Sequence, residues 1–141
     1  MSPSQKTLLL KKTGIFANTS VEDLKDIADI LEEVSLQPGS TIFNKGDIGD
    51  CLYIIKKGSV RIHDGAYTLA LLKNNEVFGE LSLLDAEKRS ASASAIEDTI
   101  LLKLDQIPFY KILSKDKEVL KGILQMLCRR IRVLDEKSAR Q

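Results

Sequence analysis

The chain has 141 residues, of which 43% are apolar and only 5% aromatic, and its 21 Lys and Arg against 20 Asp and Glu leave a formal net charge of +1. That is enough chain for one domain with an aliphatic core and no need of metal or disulfide staples. The charge balance gives no general reason to expect a nucleic-acid partner, although it leaves room for a local basic patch.

The N-terminus, MSPSQKTLLLKK, holds an apolar run of three residues, too short for a signal peptide or a membrane span. Lys6 to Lys12 reads as a short helix that stops near Gly14, followed by the apolar pair Ile15 and Phe16. Thr19 and Ser20 offer N-caps, with Glu22 and Asp23 each three residues downstream of one of them. Leu24, Ile27, Ala28, Leu31 and Val34 then repeat at helical spacing, which predicts a helix from Val21 to about Glu33.

Punctuation changes at Pro38-Gly39. Short β-branched or aliphatic runs now alternate with turn signals: TIF, CLYII, SVRIH, YTLALL, then SASASAI and TILLKL. Strands at this density, joined mostly by Gly, Asn or Asp turns, predict an antiparallel barrel or roll, because βαβ units would need a long helix between strands. Asp64-Gly65 suits a hairpin turn, since Gly accepts the positive φ it requires; Gly46, Gly49 and Gly58 are expected to meet similar needs.

Past the strands the helical pattern returns. Asp105 can cap a short helix running through Pro108 to Leu113, with the proline tolerated in the first turn. Asp116 to about Lys137 follows as one helix in which Leu120, Leu124, Leu127, Ile131 and Leu134 step by four, three, four and three. That stripe can cover the body of its own subunit or pair with a second copy. Lys115 to Gln141 carries eight Lys or Arg against four Asp or Glu, densest at Arg129, Arg130 and Arg132; the reading is a solvated face with cations near a helix C-terminus, or a membrane or nucleic-acid footprint.

The chemistry lies in FGELSLLDAEKRSASA, residues 78–93. ELSLLD can form one or two helical turns whose first N–H groups find no intrahelical acceptor, which favours an anion, and Arg89 can add a guanidinium fork matched to phosphate oxygens. A carboxylate there would repel an anion, so Glu80 suits accepting hydrogen bonds from hydroxyls of the same ligand. On spacing alone an internal Glu80–Arg89 salt bridge stands as an equal alternative. Elsewhere, Cys51 and Cys128 lack a Cys-x-x-Cys unit, the one histidine, His63, has no catalytic partner, and no paired carboxylates, Walker-type loop or metal motif occurs. Both cysteines are expected to be buried free thiols, which fits a reducing, cytoplasmic setting, and His63 a solvent-facing strand residue. The chain offers no candidate enzyme machinery.

From about Leu10 to Leu134 the sequence resembles the cyclic-nucleotide-binding domain shared by catabolite activator-type regulators, protein kinase A regulatory subunits and cyclic-nucleotide-gated channels. The resemblance rests on VEDLKDIADIL, PGSTIFNKGDIGDCLYIIKKGSVRI, FGELSLLDAEKRSASA and TILLKL. It implies a mainly-β fold, an antiparallel, jelly-roll-like β-roll with N-terminal helices and two C-terminal helices: a helical segment over 1–36, the roll over 37–104 with a phosphate-binding cassette at 78–93, and helices over 105–141. It further implies that Glu80 binds a ribose 2′-hydroxyl, that Arg89 grips exocyclic phosphate oxygens, that backbone groups of Gly79, Leu81 and Ser82 complete the cradle, and that the Ser90 hydroxyl reaches ligand. Gly46, Gly49, Asp50 and Gly58 match scaffold positions. Asn75 stands where the family usually has Gly, Ser82 replaces a common Ala, Ala86 a common Gly and Lys88 a frequent Pro.

The expected function is a regulatory sensor that binds cAMP or cGMP, with the base undecided, and relays occupancy through its C-terminal helices to an effector outside this chain. A homodimer through Asp116 to Lys137 is possible; direct DNA binding is not expected, since no helix-turn-helix follows Leu134. The alternative is a structural or protein-interaction roll with no nucleotide ligand.

Overall fold

The computed structural model describes residues 2–139. Its elements fall into two compact units, one made of the described residues up to Asp29 together with those from Tyr110 onward, the other of Ile30–Phe109.

In the first unit, α1 (Pro3–Lys11) opens with a capping box: Ser2 Oγ accepts from Gln5 N–H at 3.2 Å while the Gln5 side chain accepts from Ser2 N–H at 3.0 Å. A 3-10 turn follows at Gly14–Phe16. The predicted helix from Val21 to Glu33 is much shorter, only α2 (Lys25–Asp29). Ser20 does supply the expected cap, its Oγ accepting from Asp23 N–H at 3.2 Å, but the chain straightens after Asp29 and Glu32–Leu36 becomes strand β1. Local periodicity favoured helix there, and a non-local partner strand decides otherwise. Helix α5 (Lys117–Ala139) belongs mostly to the sequence's predicted span; Asp116 caps it, its Oδ1 accepting from Glu118 and Val119 N–H groups at 3.1 and 3.3 Å. Thr19 approaches α5 closely, so that a Cβ on Gly122 would lie 2.6 Å from its Oγ1.

The second unit is mainly β. Its remaining strands are β2 (Thr41–Phe43), β3 (Ile48–Gly49), β4 (Cys51–Lys57), β5 (Val60–Asp64), β6 (Tyr67–Leu72), β7 (Val77–Phe78), β8 (Glu87–Lys88), β9 (Ser92–Ala95) and β10 (Thr99–Asp105), with α3 (Glu80–Leu84) between β7 and β8. All pairings are antiparallel. One sheet runs β1-β10-β4-β7, another β2-β9-β5-β6, and β3 pairs with β8 alone. Side chains from both four-stranded sheets meet in one core, with Tyr53, Ile55, Phe78 and Leu101 from the first against Val60 and Ala93 from the second. Leu52, Ile54, Leu102 and Leu104, on the opposite face of β4 and β10, are fully buried as well. Helix α4 (Gln106–Lys115) begins directly after β10, with Pro108 in its first turn, and spans the boundary of the two units.

The turn chemistry agrees with the sequence at Gly65 (φ 57°) and Asn75 (φ 72°), where the side-chain amide residue takes the left-handed conformation usually left to glycine. Three expectations are corrected. Gly49 does not have the positive φ of Gly46 and Gly58; its need is for space. Cys51 is buried but Cys128 is exposed, because the helix turns it away from Ile123 and Met126, which are buried. His63 is half-buried rather than solvent-facing, its ring nitrogens 2.9 Å from Gly65 O and 2.8 Å from Ser94 Oγ, which ties the hairpin to β9. Among the described residues, no helix is long and apolar enough to cross a membrane.

Candidate functional site

The chain leaves β7 through Gly79, whose φ of 74° turns it into α3. It returns along β8, paired with β3, so that Arg89 follows directly on a strand whose register is fixed. The Arg89 main chain is clamped on both sides: its N–H donates to Asp47 O at 2.7 Å, and its carbonyl accepts from Gly46 N–H at 2.8 Å. The excursion encloses a cleft of about 380 Å³, within the range of small-ligand sites.

All six residues singled out from the sequence, Gly79, Glu80, Leu81, Ser82, Arg89 and Ser90, line this one cleft. Leu81 and Ser90 are exposed at its mouth, Gly79, Glu80 and Ser82 are half-buried, and Arg89 is only 8% exposed.

Arg89 is the electrostatic centre. Its Nη1 donates to Ser82 Oγ at 3.0 Å, and its Nη2 donates to the Cys51 carbonyl at 3.1 Å and lies 3.4 Å from Cys51 Sγ. Each of these partners is neutral. Among the described residues, no carboxylate comes within the 4.0 Å of an ion pair with Arg89, so the internal Glu80–Arg89 salt bridge is not formed. A guanidinium withdrawn from water and left without a counter-charge is costly. An anion in the cleft would offset that cost.

Further groups hold the guanidinium in place. Arg89 Cζ stands 4.3 Å from the centroid of the Phe43 ring, a cation–π contact. Phe43 in turn packs against Tyr53 and Phe78, each ring centroid 6.1 Å away, and Tyr53 and Phe78 stack at 5.1 Å. A Cβ on Gly49 or Gly79 would run into the guanidinium. Phe43, Ile62, Val77 and Ala91 supply an apolar wall, and Lys88 a second cation at the rim. Nothing local in the sequence identifies Phe43 or Cys51 as neighbours of a residue so distant along the chain.

Behind the arginine, burial pushes the Tyr53 phenol well above the ordinary tyrosine range, helped by its hydrogen bond to Cys51 and opposed by the positive charge of Arg89. Asp50, Cys51 and Asp105 place three potential ligand atoms within 4.8 Å of one another. Lys103 Nζ already lies 3.4 Å from Asp105 Oδ1 and Arg89 Nη2 lies 3.4 Å from Cys51 Sγ, so two of the three groups already have partners. The excursion is tied to α4 by Gln106, whose Nε2 donates to Leu83 O at 3.1 Å, while its N–H donates to Asp50 O between β3 and β4 at 2.9 Å.

Comparison with known proteins gives this geometry a family. The chain is 39% identical over 132 residues to the cyclic AMP receptor protein of Thermus thermophilus, covering 89% of this chain and 61% of that protein. It is 30% identical over 129 residues to a CRP-like cAMP-activated global transcriptional regulator of Mycobacterium tuberculosis, covering 88% and 58%. The chain thus spans about three-fifths of the length of these curated relatives. Among solved structures, the N-terminal domain of a transcriptional regulator from Streptomyces coelicolor superposes with a TM-score of 0.84 at 30% identity, covering 92% of this chain and 93% of that one. The model of the cyclic nucleotide-binding domain matches residues 33–116, which include both four-stranded sheets except Glu32, together with α3 and Arg89. The chain belongs to the cyclic nucleotide-binding domain family.

Proposed function

We propose that the cleft binds a cyclic nucleoside monophosphate, cAMP or cGMP, and that this chain is the sensing part of a regulator. The observation that carries the reading is Arg89, a buried guanidinium bonded only to neutral groups and facing a cleft that Glu80 also lines. A cyclic phosphate supplies the missing negative charge with oxygens suited to the guanidinium fork. Glu80 accepts from the ribose 2′-hydroxyl, the backbone of Gly79, Leu81 and Ser82 completes the cradle, and the Ser90 hydroxyl reaches the ligand from the rim. The relatives in which cAMP is named support the ligand class.

Occupancy is relayed through α3. Its Leu83 carbonyl is held by Gln106, the first residue of α4, so a shift of α3 on anion binding reaches α4 and the helix after it. A ligand that binds one arrangement of these helices more tightly moves the population toward it. The effector is a domain or protein beyond these residues, and the setting is the cytoplasm. The exposed side chains Leu120, Leu124, Ile131 and Leu134 lie at heptad spacing on α5, which supports a homodimer through Asp116 to Lys137.

Arg89→Ala tests the site. Calorimetric titration should show cAMP or cGMP affinity reduced roughly ten- to a hundredfold, the worth of a charge-assisted hydrogen bond at about 1.5–3 kcal/mol. Unchanged affinity would place the phosphate elsewhere.

A further inference from the structure

The basic face of α5 has no part in the cleft around Arg89. Lys121, Gln125, Cys128, Arg129 and Arg132 lie on one side of that helix, and with Asn18 and Leu124 they line a separate cleft of about 550 Å³ within the helical unit. Three of the lining residues are cations and none is an acid. Among the described residues, neither Lys121, Arg129 nor Arg132 takes part in an ion pair. Glu118, Asp135 and Glu136 of the same helix lie outside the cleft.

The missing side chain of Gly122 admits Asn18 and Thr19 close against the helix, and Asn18 lines the cleft. Asn18 Oδ1 accepts from Arg129 Nη1 at 3.3 Å, so this guanidinium is oriented before any ligand arrives, and less freedom is lost on binding. Arg129 and Arg132 are neighbours one turn apart, and Lys121 approaches from about two turns earlier. At 100° per residue the basic face is centred roughly 120° around α5 from the stripe Leu120, Leu127, Ile131 and Leu134. Leu124 lies between the two, at the edge of the cleft, so pairing of two copies through Leu120, Leu127, Ile131 and Leu134 leaves Lys121, Arg129 and Arg132 open.

We propose that this cleft is a second ligand site, which takes a small oligophosphate anion such as an inorganic polyphosphate or the phosphate chain of a nucleoside di- or triphosphate. The convergence of two guanidinium forks and an ammonium suits phosphates that carry several charges. A single phosphate monoester meets only part of it.

The test is calorimetry with sodium tripolyphosphate at low ionic strength on the wild type, on Arg129→Ala/Arg132→Ala, on Lys121→Glu and on Arg89→Ala, each checked for folding by circular dichroism. Saturable binding with one anion per chain is expected in the wild type and in Arg89→Ala, weakened roughly tenfold or more in the other two variants and by added salt. A parallel titration of Arg89→Ala with a nucleoside triphosphate distinguishes the sources: equal affinity assigns recognition to the phosphates, and tighter binding adds a nucleoside lying against Leu124. Absence of saturable binding, binding indifferent to Arg129, Arg132 and Lys121, or binding lost in Arg89→Ala would overturn the proposal. So would saturation by an oligoglutamate peptide with tripolyphosphate inert, which would make the face a protein-docking surface.

Discussion

Gly49 lies so close beneath Arg89 that a methyl group on it would stand 2.5 Å from the guanidinium carbon and 2.7 Å from Cδ. The guanidinium is buried because β3 carries no side chain at that point. Gly49→Ala is therefore expected to push Arg89 out of its seat, lowering cyclic-nucleotide affinity at least tenfold while destabilising the fold by about 1–3 kcal/mol, the usual range for overpacking. Calorimetry and thermal unfolding on the same sample separate the two effects.

Phe43 also contacts the guanidinium, at 4.3 Å from ring centroid to Cζ. Phe43→Leu keeps an apolar side chain in the wall but removes the ring quadrupole. Ligand affinity should fall about two- to fivefold, matching a cation–π contact of about 0.5–1 kcal/mol, with little change in unfolding temperature. An affinity equal to wild type would show that packing alone orients Arg89.

Gln106→Leu removes the side-chain hydrogen bond to Leu83 O, a loss of about 0.5–1.5 kcal/mol in stability. Affinity should stay within about threefold of wild type, because Gln106 does not line the cleft. Ligand-induced change in amide exchange along α4 should be lost. Retention of that change would remove Gln106 from the relay.

Leu127→Asp tests pairing through α5 by sedimentation at several concentrations. The wild type should associate and the variant should stay monomeric; a monomeric wild type at every concentration would reject the homodimer.

Tyr53 sets an alkaline limit on stability. Its folded pKa is raised, first by burial and then by Cys51, so the folded state keeps the proton that the unfolded chain loses near the ordinary value of about 10. Stability is whole below that value and falls as pH rises beyond it, by at most about 1.4 kcal/mol per pH unit. Denaturant titrations from pH 9 to 11 should show this slope in wild type and a shallower one in Tyr53→Phe.

The longer strands were legible because their β-branched and aliphatic runs are bounded by turn residues, as in CLYII and TILLKL. Strands β3, β7 and β8 have two residues each and carry no period to read. Strand β1 was hidden for a different reason: Leu31 and Val34 extend the helical series of α2, and only pairing with β10, Val34 opposite Leu101, makes the segment extended. At the site, the register of FGELSLLDAEKRSASA pointed to Glu80 and Arg89, which do line one cleft. The support of Arg89 by Phe43, Gly49 and Cys51 was not legible, since each contact spans a long stretch of chain and depends on strand order. Cys128 was misread as buried because its apolar neighbours face inward while it faces the basic cleft.

Calorimetric titration of the folded wild-type chain with cAMP, cGMP and the linear 5′-AMP tests most directly whether Arg89 awaits a cyclic phosphate. Saturable binding of a cyclic nucleotide, well ahead of 5′-AMP, is the predicted result. No binding of either cyclic nucleotide up to millimolar concentration would contradict it.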